Sequence, residues 1–322
     1  MTGVRRTGVL VLAVAVAALL TVFDTRLAAP QGNRLVALGT EGDVPVQEPF
    51  DPFWERIPRT DIALSAQQQV APMGGHRWTI SARAVHDDEN LYVQLEWPDE
   101  THNSSAGSVD EFTDAVALEF PAVAGVQVPA LCMGDPTASV NIWQWKAASQ
   151  TQMAQGPQTT KEKYPNAEVD MYPFHDEETF YPGRAVGNPV SVAGRSTPVD
   201  NLVAGGFGTL TADPDTSVNG WGEWRDGKWR VVFQRSLAPG KEGNVNLPLG
   251  ASTNAAFAVW DGAAGERDGM KSVGNFITLD VSSRSMPAGA SFPYWPAPYL
   301  IWIVITVALG WMLLGKKWGG SQ

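Results

Sequence analysis

The sequence predicts an all-β protein: a β-sandwich body between two apolar ends. Three observations predict it. Short runs that alternate apolar and polar residues recur through residues 31–290, with Gly, Pro, Asn or Asp between them. No convincing amphipathic helix lies between Gln31 and Pro287. The 32 glycines and 23 prolines supply the turns that many short strands need.

The strands follow in order. Arg77–Val85 alternates, the polar turn His86–Asn90 reverses the chain, and Leu91–Trp97 returns, which makes a hairpin. Asp114–Phe120 and Val140–Trp145 alternate in the same way. Lys228–Arg235 follows an Asp226-Gly227 turn, and Ala255–Trp260 and Asn275–Val281 complete the set. Ser149–Gly205 is polar, rich in Pro, Gly and Gln, and weakly periodic. It is expected to be a long loop excursion with a functional or partner-contacting role. Roughly 260 residues can form one all-β domain.

The two ends read as membrane-directed. Residues 1–30 carry Arg5 and Arg6, an uncharged run from Thr7 to Phe23, and the small residues Leu27-Ala28-Ala29 before Pro30. These are the parts of an export signal, cleaved or retained as an anchor. In residues 291–322 the segment Tyr299–Leu314 is almost wholly apolar. Tyr294, Trp295, Tyr299 and Trp302 gather at one end and Lys316-Lys317 close the other. Aromatic residues favour the interface and basic residues the cytoplasmic side, so one C-terminal span with a short cytoplasmic tail is expected. The body would then lie on the extracytoplasmic, periplasmic face of the cell membrane.

Composition excludes several functions. Lys+Arg is 23 against 34 Asp+Glu, a formal charge of −11, so the basic surface that phosphate backbones require is missing. One cysteine rules out an internal disulfide and an all-cysteine metal cluster. His76, His86, His102 and His175 form no HxH or HExxH pattern, and no GxSxG or CxxCH occurs. A hydrolase therefore has no motif to stand on.

Three segments need an explanation. Pro129–Pro136 contains Met133-Gly134 and leads into Val140-Asn-Ile-Trp143-Gln-Trp145-Lys146. Gly220–Arg235 is rich in tryptophan. Phe257-Ala-Val-Trp260-Asp-Gly runs through Glu266-Arg-Asp-Gly to Met270-Lys271. Read by themselves, a methionine in an apolar stretch fills a core gap and a lysine in a Gly-rich turn is solvated. At these segments, and at Leu91–Thr101 and Asp114–Pro121, the chain resembles the haem b-binding gamma subunits of ethylbenzene dehydrogenase and its relatives. Those belong to the type II dimethyl-sulfoxide-reductase group of molybdoenzymes. The resemblance runs from about Trp78 to Val281.

The resemblance implies one non-covalent haem b with methionine and lysine axial ligands, which fall on Met133 and Lys271. Lys228 and Lys241 are the other lysines of the late half that could take the second position. Thioether sulfur suits low-spin haem iron, and an amine ligates only after losing its proton to the metal. Trp143, Trp145, Phe257 and Trp260 are expected to line the porphyrin slot. The resemblance further implies an electron-transfer chain that catalyses nothing itself. It would work beside an iron–sulfur beta subunit and a molybdenum alpha subunit, and exchange electrons with a quinone-linked or c-type cytochrome partner. The alternative is an exported, membrane-tethered module that binds carbohydrate or another ligand by stacking on exposed tryptophans, without haem.

Overall fold

The computed structural model describes residues 33–285, apart from residues 77, 124–127, 132, 157–159, 168–181, 187, 189–190, 192–193 and 216. Its strands are β1 (Arg34–Gly39), β2 (Thr60–Ala66), β3 (Trp78–His86), β4 (Asn90–Pro98), β5 (Ala115–Pro121), β6 (Val140–Lys146) and β7 (Val199–Ala204). They continue with β8 (Thr211–Ala212), β9 (Asn219–Trp224), β10 (Lys228–Ser236), β11 (Ser252–Trp260), β12 (Ser272–Gly274) and β13 (Ile277–Ser285). Helices are few and short: α1 (Pro52–Glu55), α2 (Ala147–Gln155), α3 (Thr160–Lys163) and α4 (Pro182–Ala185). The fold is all-β and consistent with a sandwich.

Hydrogen bonds join the strands in the order β8-β7-β6-β5-β11-β12-β2-β3-β4-β10-β9, and β1 and β13 close a ring between β3 and β11. Most pairs are antiparallel, while β1 runs parallel to both β13 and β3. Local chemistry sets the reversals. The β3–β4 turn is tied by Asp87 Oδ1, which accepts from the Glu89 and Asn90 N–H groups. The β9–β10 turn places Asp226 and Gly227 at φ 54° and 74°, the positive pair that a tight hairpin demands.

Period-two alternation sorts side chains to two faces. Inward residues of every long strand meet in the main core, among them Ile80, Leu95, Trp97, Leu118, Trp143, Trp145, Phe233, Phe257 and Leu279. A second cluster lies on the opposite face of β5, β6, β7 and β11, built from Ala115, Ala117, Val140, Ile142, Leu202, Ala258, Trp260 and Val273. Leu131 and Met133, from the loop before β6, pack against it. This is why β5 is buried along its whole length.

Two expectations need adjustment. The Ser149–Gly205 excursion includes most of α2, and its end is β7, which pairs with β6 from Trp145↔Val199 to Val140↔Ala204. Besides β7, strands β1, β2, β8, β9 and β12 are additional to the predicted set. No helix among the described residues is long and apolar enough to cross a membrane. The expected signal or anchor at residues 1–30 and the span at residues 291–322 lie outside the described residues.

Candidate functional site

The second cluster has a recess in it. Three strand residues facing out of the sandwich are alanines, Ala117, Ala256 and Ala258, and short side chains there leave room. A shallow recess, partly open to solvent, is bordered by these together with Glu119, Leu131, Ile142, Trp260, Lys271 and Val273.

Lys271 stands just before β12, and its backbone is tightly held. Its carbonyl accepts from Gln67 N–H at 3.0 Å. A Cβ on Gly75 would sit 2.1 Å from that carbonyl oxygen, so only glycine fits there. The Gln67 side chain donates to the Val70 and Gly269 carbonyls, which ties two loops together behind the lysine. The Lys271 side chain is buried, at 8% exposure. Among the described residues Nζ has no hydrogen-bond or ion-pair partner, and its contact is the Trp260 ring, 5.1 Å from the centroid. The Lys271 nitrogen is not among the sealed unpartnered atoms, so the side chain is covered while its amine keeps contact with the open side of the recess.

Trp260 is fixed by its own Nε1–H, which donates to the Asp268 carbonyl at 3.1 Å. Glu266, in the same segment, is buried and lies 2.7 Å from His76 Nδ1. Burial pushes the Glu266 carboxyl up against the opposing effects of the Asp261 N–H and His76.

Met133 approaches the same cluster from the loop before β6. Its N–H donates to Glu119 Oε2 at 3.2 Å and its carbonyl accepts from Gly206 N–H at 2.8 Å. Its φ is 113°, in a region that costs a non-glycine residue about 1–3 kcal/mol and collects at functional sites. The pocket wall itself is Leu131 rather than Met133.

The remaining predicted residues divide. Trp260 borders the pocket with its side chain in the outer cluster. Phe257 borders it too, but its ring packs in the main core. Trp143 and Trp145 belong to the main core, which corrects the expectation that they line the slot. In β6 they alternate with Val140 and Ile142, and it is the latter pair that faces outward. Trp143 Nε1 donates to Asn141 Oδ1, and Trp145 Nε1 donates to Gln150 Oε1. Lys228 lies near Glu96 at 3.7 Å and Lys241 near Asp215 at 3.5 Å, both part-exposed and outside the pocket lining. Sequence reasoning missed Ala117, Ala256, Ala258 and Glu119. Alternation places them on one face with Trp260, but alanines carry no chemical signal.

The donor set fits a flat, apolar metal-bearing group. A small-residue floor, an aromatic side, a buried amine without a counter-charge and a nearby thioether are what a Met/Lys-ligated haem requires.

A profile of the ethylbenzene dehydrogenase family matches residues 51–272. The chain belongs to this family. Its relatives include the chlorate reductase gamma subunit of Ideonella dechloratans, 27% identical over 84% of this chain and 94% of the relative. A proposed respiratory nitrate reductase heme subunit of Haloferax mediterranei is 23% identical over 95% of this chain and 91% of the relative. The dimethylsulfide dehydrogenase gamma subunit of Rhodovulum sulfidophilum is 27% identical over 75% of this chain and 77% of the relative. Two of these relatives are gamma subunits of oxidoreductases and the third is a heme subunit. Among solved structures, a family 9 carbohydrate-binding module of Caldicellulosiruptor kristjanssonii aligns with a TM-score of 0.39 and 10% identity over 79% of this chain and 97% of the module. Among the described residues Trp78, Trp221 and Trp224 are half-buried and the other tryptophans are buried.

Proposed function

We propose that the chain is an electron-transfer subunit that holds one non-covalent haem b against the outer face of β5, β6 and β11, with Met133 and Lys271 as axial ligands. The haem would supply one-electron storage. Lys271, held at its backbone by Gln67 and Gly75, presents its nitrogen across Trp260. To bind iron this amine gives up its proton to the metal. Met133 offers a neutral soft sulfur from a loop fixed by Glu119 and Gly206. The alanines keep the floor of the recess low and apolar, the surface a flat ring would lie on.

The observation that carries this reading is the buried, unpaired Lys271 amine at the edge of an alanine-floored recess. The names of the relatives support it further: one is a heme subunit and two are gamma subunits of oxidoreductases. On this reading the chain exchanges electrons with an iron–sulfur beta subunit, beside a molybdenum alpha subunit, and with a quinone-linked or c-type cytochrome partner. The apolar stretch near the C-terminus would tether it to the cell membrane with the body on the periplasmic side.

The test is the absorption spectrum of the purified chain. A sharp reduced b-type spectrum, lost in Met133→Ala and in Lys271→Ala with the β circular dichroism unchanged, supports the proposal. A colourless wild-type chain purified with haem available, or a spectrum unmoved by both substitutions, refutes it.

A further inference from the structure

A second site lies outside the pocket, where three loops meet. Asp99 follows β4, Asp114 precedes β5 and Asp261 follows β11. One carboxylate oxygen from each lies within 4.8 Å of the others. Asp114 is fully buried, Asp99 is 3% exposed, and Asp261 is half-buried.

Acidic clusters are common on surfaces, but this one is not solvated and not neutralised. No lysine, arginine or histidine forms an ion pair with any of the three among the described residues. The outer oxygens are already satisfied. Asp114 accepts from Asn103 N–H, Gly262 N–H and Trp229 Nε1–H at 2.7–2.9 Å. Asp99 Oδ1 accepts from the N–H and hydroxyl of Thr101, and Asp261 Oδ1 from Ala264 N–H. These donors orient the carboxylates.

One atom remains. Asp99 Oδ2 is sealed from solvent and receives no hydrogen bond among the described residues. A buried carboxylate oxygen in that condition, beside two more carboxylates, lacks a positive partner. Burial, with the Asp114 and Asp261 charges adding to it, pushes the Asp99 carboxyl up to about 6.

We propose that Asp99, Asp114 and Asp261 bind one hard divalent cation, calcium before magnesium. The ligands are all oxygens, with no sulfur or imidazole among them, which suits calcium and magnesium rather than zinc or copper. Calcium accepts six to eight oxygens in flexible geometry, whereas magnesium demands a near-ideal octahedron, and three carboxylates set by separate loops suit the former. The cation joins the ends of three strands. Asp261 begins the segment that runs from Trp260 to Lys271, so the cation anchors that segment at its start, whatever the pocket binds.

Calcium chloride alone is the probe. The full-length chain, stripped with a chelator and exchanged into metal-free buffer, is titrated calorimetrically with Ca²⁺ and separately with Mg²⁺. Its unfolding temperature is followed in parallel. One Ca²⁺ per chain, a raised unfolding temperature, weaker Mg²⁺ binding, and at least a tenfold loss of Ca²⁺ affinity in Asp261→Asn support the site. The exposed acid Asp110 serves as control, and Asp110→Asn leaves binding unchanged. No heat and no thermal shift in the wild type up to about 10 mM Ca²⁺, beyond the range of weak extracellular calcium sites, overturns the proposal. Equal weakening by Asp110→Asn overturns it as well, because binding is then diffuse charge attraction. If Asp261→Asn does not fold, the wild-type titration decides.

Discussion

Met133 combines two properties that can be separated by substitution. It sits at a positive φ that glycine adopts without strain, and it carries the only thioether packed against the outer cluster among the described residues. Met133→Gly is expected to leave the unfolding midpoint unchanged or slightly raised while removing the pigment. A loss of stability instead would make Met133 a packing residue. Trp143 gives the opposite result. It is 1% exposed in the main core, so Trp143→Ala is expected to cost about 3–5 kcal/mol in denaturant unfolding, whether or not haem is present. Asp200 supplies a pH test. Burial alone would push its carboxyl up, but Lys146 and Arg195 outweigh burial and hold it below the ordinary range. A carboxyl lowered in the folded state stabilises above its unfolded pKa of about 4, and that stability is lost as pH falls through the folded value. Urea midpoints measured from pH 5 to pH 2 should fall, and Asp200→Asn should flatten that part of the curve.

The outer face of β5, β6 and β11 decides what the domain can hold. On β11, Ala256, Ala258 and Trp260 point outward while Ala255, Phe257 and Val259 fill the core. Ala258→Phe fills the recess at an overpacking cost of no more than about 1–3 kcal/mol. The expected result is a folded chain without pigment, read by absorbance together with the unfolding temperature; a pigmented variant would move the binding site elsewhere. Strands with strong alternation and clear turns, such as β3, β4 and β10, were legible in the sequence to within one residue at each end. Strand β7 was not, because it follows a polar stretch and earns its place only by pairing with β6. Trp143 and Trp145 were misplaced because alternation shows which residues share a face and does not show which face holds the core.

The described residues form a β-body whose ring of strands leaves one sheet face free for a second, smaller cluster. If the apolar stretch in residues 291–322 is the tether, a chain ending at residue 290 should leave the membrane fraction in a flotation assay, while the full chain stays. The sequence by itself determined the all-β class, the order of the strongest strands and the acidic charge, all of which are written in local pattern or composition; Met133 and Lys271 stood out only through the family resemblance. Only the tertiary structure decided that Lys271 is buried without an anion, that three alanines open a recess beside it, and that Asp99, Asp114 and Asp261 converge. Those facts depend on residues as far apart in the chain as Asp99 and Asp261, 162 positions. Burial and charge proximity are properties of the packed sheets, and no local period encodes them.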